Sequence, residues 1–427
     1  MSNEARIGRW VKREKEAVRI VHINHDYGSA GIGGAGVAAS RLHRSMLAAG
    51  MDSVFYCTFK RELCDNVVEV PKQGLWRTLF LLGGKVVRHL PRLAGAKEAM
   101  PGNVLCSGMA QRINALKPDA VIIHWISADC LSFGEIASIK APVYCFLHDF
   151  WLLSGNEHHF AEGDRRYIDG YSRSNTGYWE RRLWERKKRL FETRPDVCFV
   201  GPSQWAAGVA RASWIGSRHR CVTIPNPIED EVFCFDAAKA HEPRPFVIVF
   251  GAYGGSKNRF KGFSDLVAAL NMIPSDIASS LRVKVFGEEA QSYVVNGIEV
   301  SFMGKLTSAE DVVAAYHGAD LFAFPSRQET QGQTKTEAMA CGLPVVAFDR
   351  TACAEGIIHK ETGWIAPDGD IPAFRDGLLW WHERSRSQDW MQVRQKISET
   401  SRKVYSRAAI IQAWQKLFLK DKGFHDS

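Results

Sequence analysis

The chain reads as an α/β protein built from two doubly wound, Rossmann-like parallel sheets facing across a cleft. Three observations carry that expectation. At 427 residues it exceeds the usual span of a single compact core, so two domains are expected. Short unbroken apolar runs alternate with helical patterns along both halves, as strands buried on both faces of a parallel sheet do. The alternation breaks once, near 213–245, where TIPNPIED and HEPRPF bring prolines and charges in place of periodic apolar residues. The expected division is 1–215 for the first domain, 216–244 for a linker, 245–400 for the second domain and 401–427 for a closing helix.

In the first half, VRIVHIN (18–24) reads as a buried strand. The glycine-rich GSAGIGGAG (28–36) then opens a helix running to about Ala49, with Gly50 as its stop. SVFYCTF (53–59), AVIIHW (120–125), VYCFLHD (143–149) and DVCFVGPS (196–203) read as further strands, the last followed by a helix at about 204–212. In the second half, PFVIVFGAY (245–253), RVKVFGE (282–288), DLFAFPS (320–326) and PVVAFD (344–349) are strands with helices between them. YSRAAIIQAWQKLFL (405–419) is an amphipathic helix.

Composition excludes several classes. With 45% hydrophobic and 24% charged residues, this is ordinary globular sequence without low-complexity tracts or repeats. The first twenty residues are charged throughout, unlike a secretory signal, and the longest apolar run, LFLLGG (79–84), is too short to cross a bilayer. Ten scattered cysteines without a CxxC pair suit buried free thiols in a reducing cytosol and no zinc site, so a cytoplasmic location is expected. The net charge of +8 is concentrated in two segments. Residues 178–194 carry seven Lys/Arg against three Glu, and 75–97 carry Arg77, Lys85, Arg88, Arg92 and Lys97 with no acid. The second of these also carries Leu75, Trp76, Leu79, Phe80, Leu81, Leu82, Val86, Val87 and Leu90. It reads either as a helix lying on an anionic membrane surface, which would make the protein peripheral on the cytoplasmic face of the inner membrane, or as core residues with a solvated basic face. No motif accompanies the charge to suggest nucleic-acid binding.

The densest chemistry lies in PSRQETQGQTKTEAMACGLPVVAFD, 325–349. Glu329 and Glu337 bracket a polar loop and a helix start between two buried strands. In such a unit the free amide N–H groups and the positive helix end face the loop, which suits an anion. The two carboxylates can accept hydrogen bonds from hydroxyls beside it. Phosphate plus hydroxyls in one pocket describes a nucleotide sugar. The bland alternative is a solvated Glu pair on a surface loop.

This run resembles the signature of the retaining glycosyltransferases of family 4, whose fold is named GT-B. On the frame PSxxE-x7-EAMACGxPVV fall Glu329, Glu337, Ala338, Met339, Ala340, Cys341, Gly342 and Pro344. The resemblance implies that Glu329 meets hydroxyls of the donor sugar and Glu337 the ribose. The loop between them, Gln331, Gly332, Gln333 and Thr334, would hold phosphate and sugar oxygens. Gln331 and Gln333 stand where many members have an aromatic or apolar residue, which leaves the donor sugar open. Lys261, followed by Gly262 as in the family, lies just after the first strand of the second half. An ammonium there can neutralise a departing pyrophosphate. The family's arginine about five residues earlier is Ser256 here, so Arg259 and Lys257 are the candidates for a second cation.

In the first half, HDFWLLSG (148–155) resembles the family's HDxWxxTG and implies that His148 reaches toward sugar and phosphate. GNEHHFAEGDRRYIDGYS (155–172) replaces the cysteine cluster of some relatives, leaving the acceptor open. Gly33 and Gly34 match the family's loop facing the donor phosphates. In the family the last helix returns to the first domain. The expected activity is hexosyl transfer with retention, without metal or cofactor, from a nucleoside-diphosphate sugar to a glycan or lipid-linked hydroxyl. Such an enzyme would serve cell-surface polysaccharide or lipopolysaccharide synthesis. Other readings stay open. The stretch Gly31-x-Gly33-x-x-Gly36 also spells a dinucleotide fingerprint, so an NAD(P)-dependent oxidoreductase is one. It stands seven residues past Asn24, and only Glu62 could hold the ribose. A non-catalytic scaffold, or an epimerase or hydrolase on the same fold, are the others.

Overall fold

The computed structural model describes residues 18–29, 33–71, 74–93, 100–240, 245–251 and 254–421. The expectations placed on Gly31 and Lys97 lie outside the described residues. Two seven-stranded sheets make up the framework. The first comprises β1 (Arg19–Tyr27), β2 (Asp52–Lys60), β3 (Val67–Glu69), β4 (Ala120–Ile123), β5 (Val143–Phe146), β6 (Cys198–Gly201) and β7 (Arg220–Thr223). Its strands are parallel, in the order β3-β2-β1-β4-β5-β6-β7. The second comprises β8 (Phe246–Gly251), β9 (Leu281–Phe286), β10 (Tyr293–Val295), β11 (Ile298–Phe302), β12 (Leu321–Phe324), β13 (Val345–Phe348) and β14 (Gly363–Ala366). Its order is β10-β11-β9-β8-β12-β13-β14, with only β10 antiparallel to its neighbour. Strand order reverses between β1 and β4 in one sheet and between β8 and β12 in the other. Ligands of doubly wound sheets bind at the carboxyl ends beside such reversals.

The helices that matter to the cleft are α1 (Gly34–Ala48), α2 (Leu75–Leu93), α3 (Tyr178–Glu192), α4 (Gln204–Ala212), α5 (Phe263–Leu270), α6 (Gln333–Ala340), α7 (Trp390–Tyr405) and α8 (Arg407–Asp421). Every residue of β4, β5, β6, β8, β12 and β13 is buried. That is why these strands read as unbroken apolar runs. The edge strands do not. β7, sequence RCVT, is half-buried at all four positions and lies inside the stretch read as linker, so the first sheet runs on to Thr223. β3, β10, β11 and β14 likewise carry no run long enough to stand out. β1 extends three residues past Asn24 to Tyr27, because the polar residues at its carboxyl end still pair with β2.

The closing helix α8 lays Ile410, Ile411, Trp414, Leu417 and Phe418 on the first sheet against Ile20, Ile122, Tyr144 and Phe146. The Tyr144 hydroxyl donates to Asp421 Oδ2 at 2.6 Å, tying down the end of the helix.

Helix α2 reverses one of the two expectations for the basic segment. Arg77 points inward, donating to the carbonyls of Pro71 and Thr58 and to Glu69. Arg88 donates to the Ala128 carbonyl. Phe80 is buried, whereas Leu75, Trp76, Leu79, Leu82, Val86 and Leu90 are between 50% and 76% exposed. The apolar stripe faces solvent and two of the basic residues face the protein. Gly83 permits this seating, since a Cβ there would lie 3.0 Å from Leu105 Cδ1.

Trp414 is fully buried against the rings of Tyr144 and Phe146 of the first sheet. Trp414→Ala is expected to lower stability by about 3–5 kcal/mol, the range for deleting a buried indole. The check is the urea midpoint by tryptophan fluorescence and circular dichroism; an unchanged midpoint would mean that α8 contributes nothing to the first domain.

Candidate active site

The site is assembled from four loops at the carboxyl ends of the two sheets. On the second sheet, β8 leads through a 3-10 turn, Arg259–Lys261, into α5. Gly262 follows with φ +69°, and a Cβ there would lie 1.9 Å from the Pro325 carbonyl oxygen at the end of β12. Only glycine lets the two loops approach so closely. The approach brings Lys261 Nζ to Glu329 Oε1 at 2.6 Å. Arg259 lies outside this pair, exposed, with its guanidinium over the Phe260 ring.

Gly332, at φ +82°, turns the chain into α6 with no side chain capping the helix. The N–H groups of the first turn are thus left for a ligand. The residues of this loop are used differently. Gln331 is buried and its amide oxygen accepts from the Asn226 backbone (2.7 Å) and side chain (2.8 Å), so that side chain is engaged with the connection between the domains. Thr330 donates to the His148 carbonyl at 3.1 Å. Gln333 donates to the Gly34 carbonyl at 3.1 Å, placing the Gly33–Gly34 turn against the loop from the other domain. The Thr334 carbonyl accepts from the Tyr316 hydroxyl at 3.2 Å. One turn into α6, Glu337 is buried and receives Arg41 Nη1 at 2.9 Å. Burial pushes its carboxyl above the usual range, and the Arg41 guanidinium opposes that shift.

On the first sheet, His148 follows β5. Its Nε2 lies 2.9 Å from His124 Nδ1, and His124 Nε2 lies 3.0 Å from His22 Nδ1. His43 stands edge-on to His22 and bonds Ser53 through Nδ1. Burial holds all four rings neutral: His148 is pushed down to about 4, His43 to about 3, and His22 and His124 well below the usual value. Asp149 is held below the ordinary carboxylate range. Burial works against its charge, but bonds from His158 Nδ1 (2.6 Å) and the Trp151 amide outweigh it, and Trp125 Nε1 adds a third. His159 reaches the other side, with its ring against Phe260.

The structure therefore brings Lys261, Glu329, Thr330, His148, Gln333 and Gly34 to one seam. It sets Glu337 beside them in an ion pair and leaves Arg259 at the rim. Sequence reasoning missed Arg41, which lies on α1 about two turns beyond the Gly33–Gly34 pair, where no short motif marks it. It also missed Lys335, whose setting in TKTEAM looks solvated. Its buried ammonium donates to the carbonyls of Ala352, Cys353 and Glu355, and burial lowers its pKa to about 8. His124 and His22 were hidden because a histidine inside an apolar strand is usually structural.

Two facing doubly wound domains with this seam define a GT-B protein. Residues 244–384, within the second half of the chain, match the family described as Glycosyl transferases group 1. The capsular polysaccharide biosynthesis glycosyltransferase CapM of Staphylococcus aureus is 24% identical over 163 residues, 36% of this chain and 42% of CapM. The chain thus spans less than half the length of that relative. Among solved structures, sucrose-phosphate synthase from Thermosynechococcus elongatus superposes with a TM-score of 0.61 at 17% identity, covering 95% of this chain and 99% of that one. The pneumococcal O-GlcNAc transferase GtfA, solved with UDP and GlcNAc, gives 0.61 at 12% identity over 96% and 100%. These likenesses establish the fold. The matches do not favour the oxidoreductase reading. β1 runs on to Tyr27, so the fingerprint glycines follow their strand more closely than the count from Asn24 implies. Glu62, however, is exposed and accepts from Ser29.

The four neutral histidines give the first domain a pH signature. Unfolded, each titrates near 6.5; folded, His148 stays neutral to about 4 and His43 to about 3. As pH falls the unfolded chain binds protons first, so this contribution is complete above 6.5 and declines below it. The slope is expected to be about 1.4 kcal/mol per pH unit for each histidine. Urea midpoints at pH 7.5 and 5.0 check this; equal values would show that the histidines are hydrated.

Proposed function

We propose that the protein transfers a sugar, with retention and without a metal, from a nucleoside-diphosphate sugar to a hydroxyl of a glycan or lipid-linked acceptor. The reading assigns it to cell-surface polysaccharide or lipopolysaccharide synthesis. The observation that carries it is the placement of Lys261 and Glu329 on either side of the second sheet's strand-order reversal, opposite His148 at the end of β5. Within the seam the Lys261 ammonium and the Glu329 carboxylate neutralise each other. A bound donor exchanges that pair for two better ones: the pyrophosphate takes Lys261 and the amides of α6, and the sugar hydroxyls donate to Glu329. Glu337 shares its carboxylate between Arg41 and the ribose. The protein's work is then positioning and stabilising the leaving charge, and closure of the domains keeps water from competing as acceptor. CapM's name supports a polysaccharide product, and the UDP in the GtfA structure supports a nucleotide-sugar donor.

Lys261→Ala is expected to lower kcat about 100- to 1,000-fold, the scale of one donor to developing charge, with a smaller change in donor affinity. Glu337→Ala is expected to weaken nucleotide binding by about 1.5–3 kcal/mol. A thermal-shift screen against UDP-, GDP-, ADP- and dTDP-sugars identifies the donor, and NMR of the product's anomeric centre reads retention. No shift with any nucleotide sugar, or a fully active Lys261→Ala, would remove the proposal.

The second part of the reading concerns where the acceptor is met. The outward stripe Leu75, Trp76, Leu79, Leu82, Val86 and Leu90 is flanked on one side by exposed Lys85, His89 and Arg92. Apolar stripe plus basic flank complements an anionic bilayer, and we assign α2 to that surface, at the cytoplasmic face of the membrane. Among the described residues no helix is long and apolar enough to cross a membrane. Cosedimentation with phosphatidylcholine vesicles containing about one third phosphatidylglycerol tests this, each basic residue contributing roughly 1 kcal/mol. The triple variant Leu79→Glu, Leu82→Glu, Val86→Glu is expected to stay in the supernatant with unchanged circular dichroism. Equal sedimentation of both proteins would discard the surface.

A further inference from the structure

The histidine chain has two ends of different character. His148 is partly exposed to the cleft, whereas His22 is fully buried and its Nε2 has no hydrogen-bond partner among the described residues. Between them run two contacts of hydrogen-bond length, each joining an Nδ1 to an Nε2. A neutral imidazole carries one N–H and one lone pair. The three rings can therefore bond in series in only two ways. Either every N–H points from the cleft inward, leaving a buried N–H on His22 Nε2, or every N–H points outward, leaving a buried lone pair there and an N–H on His148 Nδ1.

Two considerations choose between them. The surroundings of His22 are aromatic, with Phe55 stacked on its face and His43 edge-on. Among the described residues no acceptor lies within hydrogen-bond reach of His22 Nε2, so an N–H there would be left unpaired. The fixed charges act in the same sense. Ionised Asp149 adjoins the His148 end, and the Arg44 guanidinium lies beside His43 at the far end. An anion at one end and a cation at the other orient the series with its N–H groups toward the anion, as they would a helix dipole.

We propose that His22 and His124 are positioning residues that lock the neutral His148 ring in the tautomer with its proton on Nδ1, so that the cleft meets an N–H donor rather than a lone pair. On the sugar-transfer reading, on which this role rests, His148 donates to an oxygen of the bound donor and takes no proton from the acceptor. A free histidine would favour the other tautomer and offer a lone pair. The series thus sets what His148 can do without touching substrate.

The test is spectroscopic and needs no substrate. In the full chain labelled with 15N-histidine at pH 7, His148 is assigned by the signals lost in His148→Gln. Long-range 1H–15N correlation is expected to show a pyrrole-type Nδ1 and a pyridine-type Nε2. In His124→Phe the tautomer is expected to revert to Nε2–H. A proton on Nε2 in the native protein, a charged ring, or an unaltered tautomer in His124→Phe would each overturn the proposal. If His124→Phe does not fold, the native spectrum alone decides. In a turnover assay His124→Phe is expected to lower kcat about tenfold, the worth of one hydrogen bond, with donor KM moving less than about twofold. His124→Gln, whose amide can both accept and donate, is expected to recover part of the loss. A change in KM alone would indicate a merely structural role. If the tautomer is as expected but no nucleotide sugar binds, the sugar-transfer reading fails and the relay stands. The reverse result fails the relay alone.

Discussion

Arg41 and Glu337 meet from opposite domains with almost no access to water, and much of the seam follows from that one pair. A carboxylate removed from water must find a cation or lose its charge, and a buried guanidinium is equally demanding. Glu337 sits one turn inside α6, the helix whose free N-terminal amides face the loop, so its partner must come from outside the second domain. Arg41 supplies it from α1, directly beyond the Gly33–Gly34 turn. Arg41 also lies 3.4 Å from Glu229 in the connecting segment, and Glu229 accepts from Arg44 at 2.9 Å. First domain, connection and second domain thus share one charge network. The closeness of α1 to α6 is what brings the glycine turn against Gln333.

The loops on either side of this network are held by the same device used twice. Lys187 of α3 is buried and donates to the carbonyls of Trp151, Ser154 and Gly155, the segment just after His148. Lys335 of α6 does the same for Ala352, Cys353 and Glu355. An ammonium has three N–H donors and each lysine satisfies all three with backbone carbonyls, a geometry that rigidifies loops lacking secondary structure. The second cage has a further effect. It positions Glu355 so that its carboxylate accepts from the Gln204 and Trp205 amides at the start of α4. A residue of the second domain therefore neutralises a helix end of the first.

How much of this could be read beforehand depends on the range of the interaction. Central strands were legible because burial on both faces forces continuous apolar sequence, as in AVII of β4 or VVAF of β13. The edge strand RCVT was not, because its residues are half in water and carry no pattern. The loop from Pro325 to Glu337 was legible because one short segment makes most of its own geometry. Its partners were not. Arg41 and Asn226 reach it through the fold, from positions about a hundred or more residues away. The segment 75–97 shows the opposite failure. Its composition was read correctly, but charge and apolarity alone could not say that Arg77 and Arg88 would turn inward while the leucines faced out. That depended on the carbonyls of Thr58, Pro71 and Ala128, which the local sequence does not contain.

The composition of the seam favours one kind of chemistry over another. Lys261 and the α6 amides are donors to negative charge. His148, neutral and in series with two other neutral rings, is a further donor on the proposed reading. Asp149 beside it already accepts three hydrogen bonds and is held ionised, so it is a poor candidate for taking a proton. Glu329 is paired with Lys261 until something anionic displaces it. A cleft rich in donors is suited to stabilising a departing anion. Transfer from a good anionic leaving group needs only that the acceptor be held close while the leaving charge is met. The pairing of Lys261 with Glu329 holds those same groups in register across the second sheet's strand-order reversal.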